Sequence, residues 1–358
     1  MSMRSTEAAP IEEAGSVGGD QPFVSIVVPA YNEELVLEQT LNTLIAHLDA
    51  DHKPFDWEIV VVDDGSSDAT PDIADAFAAT HRRVRVLHHR INFNLGQALR
   101  YAFGTCTGDY VVTIDCDLSY SPDHIDRIVE TLQTTGAKIV VASPYAEGGE
   151  VNNVPAFRKL ISRSANRFLS AAVKGDLSTL TSMVRGYDRR FLRTLNLKAM
   201  DIEINTEILY KARILRARIV EIPARLEWEL RKEGAERQRV SSLRVGRSTA
   251  AYVFTGFLFR PVPLFVLPGV ALLSVAMALT VYVLVHLFLV GGHELNDHIG
   301  VLVITGSAYV IGVQLVMLGL LAVQAKRYYE ELFHLGTSIL RRAGGVGWPL
   351  EPPSSPRR

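Results

Sequence analysis

The chain has only two cysteines, Cys106 and Cys116. That excludes a disulfide framework and fits a reducing compartment. No long basic run occurs, and 37 Lys and Arg nearly balance 39 Asp and Glu, so a net charge of −2 offers nothing to nucleic acid. Neither the G-x-G-x-x-G dinucleotide fingerprint nor the G-x-x-x-x-G-K-[ST] loop occurs. A bound phosphate therefore finds no glycine-rich cradle, and its charge must be neutralised by a metal. Residues 1–22 lack the apolar core of a secretory signal and read as a disordered tail. There is no internal repeat, and His88 and His89 form no metal-ligand spacing, so both are assigned to packing or surface.

Charge is also missing from residues 264–290 and 299–323. Each stretch exceeds the roughly 20 residues that cross a bilayer core. These stretches account for much of an apolar fraction that reaches 48% of the 358 residues. The connector carries Glu294 and Asp297 but no Lys or Arg. Arg244, Arg247 and Arg260 precede the first stretch, and Lys326, Arg327, Arg341 and Arg342 follow the second, which places both flanks in the cytoplasm by the positive-inside rule. The expectation is a two-helix transmembrane hairpin over 261–325, with the catalytic domain cytoplasmic, at the plasma membrane if the cell is bacterial. Gln314 and His286 inside the spans read as packing groups. Residues 236–260 read as an amphipathic juxtamembrane segment, and 326–358 as a cytoplasmic amphipathic helix and tail.

What is present before the membrane is an alternation of short, β-branched runs with helical patterns. The expected strands are 24–28, 58–62, 84–88, 110–114 and 138–142. Helices are expected from near Glu34, from Thr70 with Pro71 in its first turn, and from Ser121 with Pro122 in its first turn. The fold class is α/β with a mostly parallel mixed sheet, binding ligands at the carboxyl ends of its strands. Residues 143–155, with Gly148, Gly149, Asn152 and Asn153, read as a mobile loop, and 157–172 as a helix carrying Arg158, Ser162 and Arg163.

Three clusters fall at successive strand ends: Pro29-Ala30-Tyr31-Asn32-Glu33, Asp63-Asp64-Gly65-Ser66-Ser67-Asp68, and Asp115-Cys116-Asp117. Asp115 and Asp117, at i and i+2 of an extended chain, would project to one side, with Cys116 turned into the core. Oxygen-only ligation by two carboxylates suits Mg²⁺ or Mn²⁺, which completes its shell with substrate phosphates. An Asp-x-Asp triplet alone is more often a solvated turn; the three clusters in this order are far more specific.

With Asn94-Leu95-Gly96-Gln97-Ala98, Gly108-Asp109-Tyr110, Leu118 with Pro122, and Arg158-Lys159-Leu160-Ile161-Ser162-Arg163, these clusters resemble the family 2 glycosyltransferases of GT-A fold, and within them the polyprenyl- and dolichyl-phosphate sugar synthases. The resemblance runs over residues 23–235. It implies a nucleotide diphosphate sugar held by Pro29, Ala30, Tyr31, Glu33, Asp64, Asn94, Gln97, Asp115, Cys116 and Asp117. It implies Mg²⁺ or Mn²⁺ on Asp115 and Asp117, with Ser119 where the family often has Gln. The acceptor phosphate falls to Arg158, Ser162, Arg163 and Arg231, and catalysis to Asp115, Asp117 and Arg158.

Pro144 stands where the family commonly has Arg, and Arg231-Lys232-Glu233-Gly234 keeps half of a late family motif, with Arg237 and Arg239 as stand-ins. The Gln-x-x-Arg-Trp text of processive synthases is absent, which argues against a polymerase. The implied reaction is metal-dependent, inverting transfer of one sugar to a polyprenyl phosphate at the cytoplasmic face of the bilayer. Two other readings stay open. One is transfer to a diacylglycerol or glycan hydroxyl, which needs a base such as Asp201 or Glu203, and the other is a scaffold without turnover. A homo-oligomer is compatible with all three, and neither the sugar nor the base of the donor is specified.

Overall fold

A computed structural model of the chain describes residues 21–50, 53–152, 177–180, 182–227, 262–290 and 298–343. Seven strands form one sheet in the order β3-β2-β1-β4-β7-β5-β8. They are β1 (Phe23–Ala30), β2 (Asp56–Asp63), β3 (Val84–His88), β4 (Tyr110–Thr113), β5 (Ile139–Ser143), β7 (Arg185–Asp188) and β8 (Ile219–Pro223). All neighbours are parallel except β7, which runs antiparallel between β4 and β5. The near-continuous apolar text of β1 and β2 follows from burial on both faces. On one face lie α1 (Leu37–Leu48) and α4 (Asp123–Thr135), packed on Ile26, Val28, Ile59 and Val112. On the other lie α3 (Leu95–Thr105), α5 (Arg189–Thr194) and α6 (Ile204–Ile214), packed on Val27, Val60, Val111 and Val141. Helix α2 (Thr70–Thr80) lies against β2 and β3.

Expected and observed elements differ at several places. The strand expected over 110–114 stops at Thr113. Helix α1 starts at Leu37, because residues 34–36 form a turn whose Glu33 carbonyl accepts from the N–H of Val36 and Leu37. Thr70 and Ser121 do not cap their helices through their side chains; Asp68 Oδ1 accepts from the Thr70 N–H instead, at 3.0 Å. Part of the loop expected over 143–155 is the short strand β6 (Glu150–Asn152), paired in parallel with β9 (Arg225–Glu227) in a second sheet. Residues 153–176 and 228–261 lie outside the described residues. The expected helix over 157–172 and the juxtamembrane segment therefore do too.

Among the described residues, two helices beyond the sheet are long and apolar enough to cross a membrane, 262–288 and 299–338. The first is α7 (Leu267–Val285), flanked by π-helical turns; the second is α8 (Ile299–Ala343). They pack closely at glycines: a Cβ on Gly269 would lie 2.9 Å from the Gly312 carbonyl oxygen. Small residues at such crossings let backbones approach where lipid supplies no hydrophobic drive. The hydroxyls of Thr280 and Tyr309 meet at 3.2 Å across the pair. The expected separate cytoplasmic helix from 326 is instead the unbroken continuation of α8, since no Gly or Pro interrupts 320–335.

Candidate active site

Register brings the three clusters to one edge. Ala30 sits opposite Asp63, and Val27 opposite Thr113, so β4 ends three residues short of its neighbour. The N–H of Ile114 still donates to the Val27 carbonyl at 3.1 Å. With neighbouring strands about 4.8 Å apart, the ends of β2 and β4 flank β1 at a total separation of about 10 Å.

The first two clusters are stitched together. Asn32, in a left-handed conformation at φ 56°, accepts at Oδ1 from the Ser67 N–H at 2.8 Å. Its own N–H donates to Ser66 Oγ at 3.0 Å. The Glu33 N–H donates to Thr70 Oγ1 at 2.8 Å, and Glu34 Oε2 accepts from the Ala69 N–H at 3.0 Å. Tyr31 is left 40% exposed at the mouth of this frame, available to a planar ligand.

Asp64 is buried, and its Oδ1 lies 2.6 Å from His89 Nδ1 and accepts from the Phe93 N–H at 3.0 Å. Its Oδ2 has no partner among the described residues. The His89 ring stacks on Tyr101 at 5.2 Å and meets the edge of Phe93. His88 bridges Asp63 and Asp75, at 3.0 Å to each. Burial alone would lower the His88 pKa, but the hydrogen bonds from Asp63 and Asp75 outweigh it, and the net shift is upward. His89 thus packs against its aromatic neighbours and His88 lies at the surface, as expected, and each in addition holds a strand-end aspartate in place. Gly65 explains the tight pairing. At φ 71° its Cβ would fall 2.4 Å from the Ile91 carbonyl carbon and 2.7 Å from the Asn92 nitrogen. Gly65→Ala is expected to push this loop, and with it the Phe93 N–H, away from Asp64, lowering the thermal transition by several degrees, as differential scanning fluorimetry would read.

Asn94, at φ 70°, precedes α3, and the Gln97 N–H donates to the Met200 carbonyl at 3.2 Å. Gly96 admits this contact, since a Cβ there would lie 2.5 Å from the Met200 carbonyl carbon. Residues 199–201 therefore cover the start of α3, with the Asp201 nitrogen 2.7 Å from where a Gly96 Cβ would sit.

The acid pair does not sit on an extended segment. Cys116 and Asp117 form a turn, followed by Leu118 at φ 48°. The turn is pinned by Thr40 Oγ1, which donates to the Cys116 carbonyl, and by the Ser119 N–H, which donates to Asp117 Oδ1 at 3.0 Å. Ser119, expected as a third ligand, thus braces Asp117 through its backbone. Cys116 is buried among Ile114, Tyr120 and Leu41, as expected of a small core residue. Burial pushes its thiol pKa well up, and the negative charges of Glu33, Asp117 and Asp115 add to the shift. Three carboxylates thus focus negative potential on this turn.

A hard dication fits such a donor set. Among the described residues no three His, Cys, Asp or Glu side chains make a complete cage, so a cation held here takes its remaining ligands from phosphate and water, as Mg²⁺ usually does. On the α1 and α4 side of the turn lies a cavity of about 650 Å³, bordered by Ser119, Arg127 and Arg225. Its lining includes none of Asp64, Asp115 or Asp117. Arg158, Ser162, Arg163 and Arg231 lie outside the described residues.

Residues 25–195 match the model of Glycosyl transferase family 2. The chain is 30% identical over 203 residues to a dolichol-phosphate mannosyltransferase of Pyrococcus furiosus, covering 56% of this chain and 55% of that protein. It is 32% identical over 206 residues to an undecaprenyl-phosphate mannosyltransferase of Micrococcus luteus, covering 56% of this chain and 82% of that one. The chain thus spans about half the length of the archaeal relative. A crystal structure of glucosyl-3-phosphoglycerate synthase from Mycobacterium tuberculosis with Mn²⁺, UDP and glucosyl-3-phosphoglycerate matches at a TM-score of 0.48 and 21% identity, over 66% of this chain and 80% of that one. The matched region contains the three strand-end clusters and the parallel half of the sheet, and the bacterial relative is covered over most of its length: the chain belongs to glycosyl transferase family 2.

Proposed function

We propose that this family 2 glycosyltransferase moves one sugar, with inversion, from a nucleotide diphosphate donor to a polyprenyl phosphate at the cytoplasmic face of a membrane. The observation that carries the reading is the presence, on one chain, of the converging acidic edge and two membrane-length helices. Tyr31 and the unpartnered Oδ2 of Asp64 receive the nucleoside, while Asn94 and Gln97 line its side of the edge. Asp115 and Asp117 hold Mg²⁺ or Mn²⁺, braced by the Ser119 N–H and Thr40. When bound, the cation neutralises the diphosphate that leaves the anomeric carbon.

The acceptor needs no base. A phosphate monoester with a second pKa of about 6 is already largely dianionic at neutral pH, whereas a sugar hydroxyl has to be deprotonated. The acceptor requires positioning, assigned to Arg158 with Ser162, four apart in sequence, and to Arg163 and Arg231. The guanidinium fork of arginine matches phosphate oxygens.

Incubating membranes containing the protein with radiolabelled nucleotide sugars and a polyprenyl phosphate, then extracting lipid, tests the reaction. Label should enter the lipid fraction only with a divalent cation present. Label in a neutral glycolipid instead would favour the hydroxyl acceptor, with Asp201 or Glu203 as the base. Arg158→Ala is expected to raise the KM for lipid acceptor about a hundredfold, with donor affinity within about twofold of wild type by titration calorimetry. Equal loss of both would remove Arg158 from the acceptor site.

A further inference from the structure

Helix α8 does not end where its apolar stretch does. Charge begins at Lys326, and the helix continues to Ala343. Its 45 residues give a length of about 67 Å, against a bilayer hydrocarbon core of about 30 Å. The first turns past the apolar stretch lie on the catalytic domain. Tyr210 Oη donates to Glu330 Oε1 at 3.0 Å, and the Tyr210 ring stacks on Tyr329 at 6.3 Å. Lys326 Nζ lies 5.8 Å from the Tyr210 ring centroid and 3.9 Å from Glu330 Oε1.

Lys211 sits beside them, 2% exposed, with its ammonium 2.6 Å from Glu207 Oε1 and 2.7 Å from the Asn196 carbonyl oxygen. The face of Phe333 covers it at 5.3 Å. A buried ammonium persists only when it is compensated on all sides, so Phe333 completes the enclosure of a group that α6 alone leaves partly open. These aromatics would face headgroups if residues 326–342 lay flat on the membrane. Instead they face protein.

Helix α6 links this contact to the chemistry. Its preceding residues 199–201 cover the start of α3 at the site edge, and Tyr210 follows Ile204 by about 9 Å of helix. We propose that α8 is a rigid strut, docked through Lys326, Tyr329, Glu330 and Phe333 onto Tyr210 and Lys211, which fixes the height and bearing of the active site above the bilayer. These are positioning residues for a membrane-confined acceptor, and to that extent the inference rests on the acceptor proposed above. A rigid connection raises the effective concentration of site and acceptor, whereas a flexible tether spreads the site over many orientations.

The test uses the full chain in phosphatidylcholine and phosphatidylglycerol liposomes. A donor dye on Asp49→Cys, at the exposed end of α1, reads energy transfer to dye-labelled lipid headgroups, since Cys106 and Cys116 are buried. Wild type should give one narrow distance. Glu330→Ala with Phe333→Ala should broaden it and raise the KM for polyprenyl phosphate in the bilayer about tenfold, with donor affinity unchanged. Glu330→Gln with Phe333→Tyr, which keep an acceptor and a ring, should restore both. If the double alanine variant does not fold, Tyr210→Phe, lacking only the hydroxyl, takes its place with a smaller shift in the same direction. An unchanged distance distribution, or donor affinity falling in step with acceptor use, overturns the strut. Should wild type fail to use polyprenyl phosphate at all, the acceptor reading falls, and the distance distribution alone decides the strut.

Discussion

Replacing Asp117 by Asn is expected to lower cation-stimulated turnover about a thousandfold while leaving the thermal transition in place. The two halves of that expectation have separate causes. Asn keeps an oxygen to accept the Ser119 N–H, so the turn at 116–117 retains its brace, and Thr40 still pins the Cys116 carbonyl. What disappears is one negative charge of the three that converge on this turn. A dication held by these two carboxylates and otherwise by substrate, as proposed, would lose half its protein charge, and a departing diphosphate would lose the neutralisation that makes it a leaving group. Steady-state rates across a Mn²⁺ titration, with a melting curve on the same preparation, measure both. Undiminished rates at every Mn²⁺ concentration would sink the metal assignment, and a collapsed melting curve would mean Asp117 is structural.

Arg185→Met is expected to do the reverse, destabilising the fold and lowering activity only through that. Arg185 is completely buried in β7, and its guanidinium donates from Nε to the Ser182 carbonyl, from Nη1 to that of Asn205, and from Nη2 to that of Leu180, each at 2.7 Å. Methionine fills similar space but leaves three buried carbonyls without their donor. At roughly 1–3 kcal/mol for each unsatisfied group, the loss is about 3 kcal/mol or more. For a domain of about 200 residues that lowers Tm by roughly 6–12 °C. Differential scanning fluorimetry in detergent reads the shift, and a drop under about 2 °C would show that the carbonyls find other partners. Arg185→Lys should recover little, because a compact ammonium cannot reach three carbonyls spread over the fork.

The same residue shows where the sequence stops being legible. Strands β1 to β5 announce themselves by apolar runs ending in turn residues, and each lies within two residues of its expected bounds. Strand β7 does not, because Arg185 and Gly186 interrupt the pattern. Arginine reads as surface unless its three carbonyls are known, and Gly186 is required by α4, where a Cβ would meet Ile128 Cγ2 at 2.1 Å. The Asn205 carbonyl is 20 residues from Arg185, and Ile128 lies on a different element from Gly186. The acidic clusters were legible at the strand ends, though Asp115 and Asp117 stand on a turn followed by Leu118 at positive φ and not on an extended segment. His89 on Asp64 is a pairing 25 residues apart that no local pattern encodes. The fate of residues 326–342 was ambiguous for a different reason: an amphipathic helix looks the same whether its apolar side meets headgroups or Tyr210.

The reversed strand at the middle of the sheet also dictates an order in time. Until residue 188 has left the ribosome, β4 has no partner on one side, and β5, already made, cannot join its neighbours. The nascent chain therefore carries two open ladders for the whole interval between them, a period in which pairing with a stranger competes with waiting. Closure nevertheless precedes the first membrane-length helix, which begins at 262. The soluble half can thus be finished before the translocation machinery receives its first apolar segment, and the embrace of Tyr210 by Glu330 comes last of all.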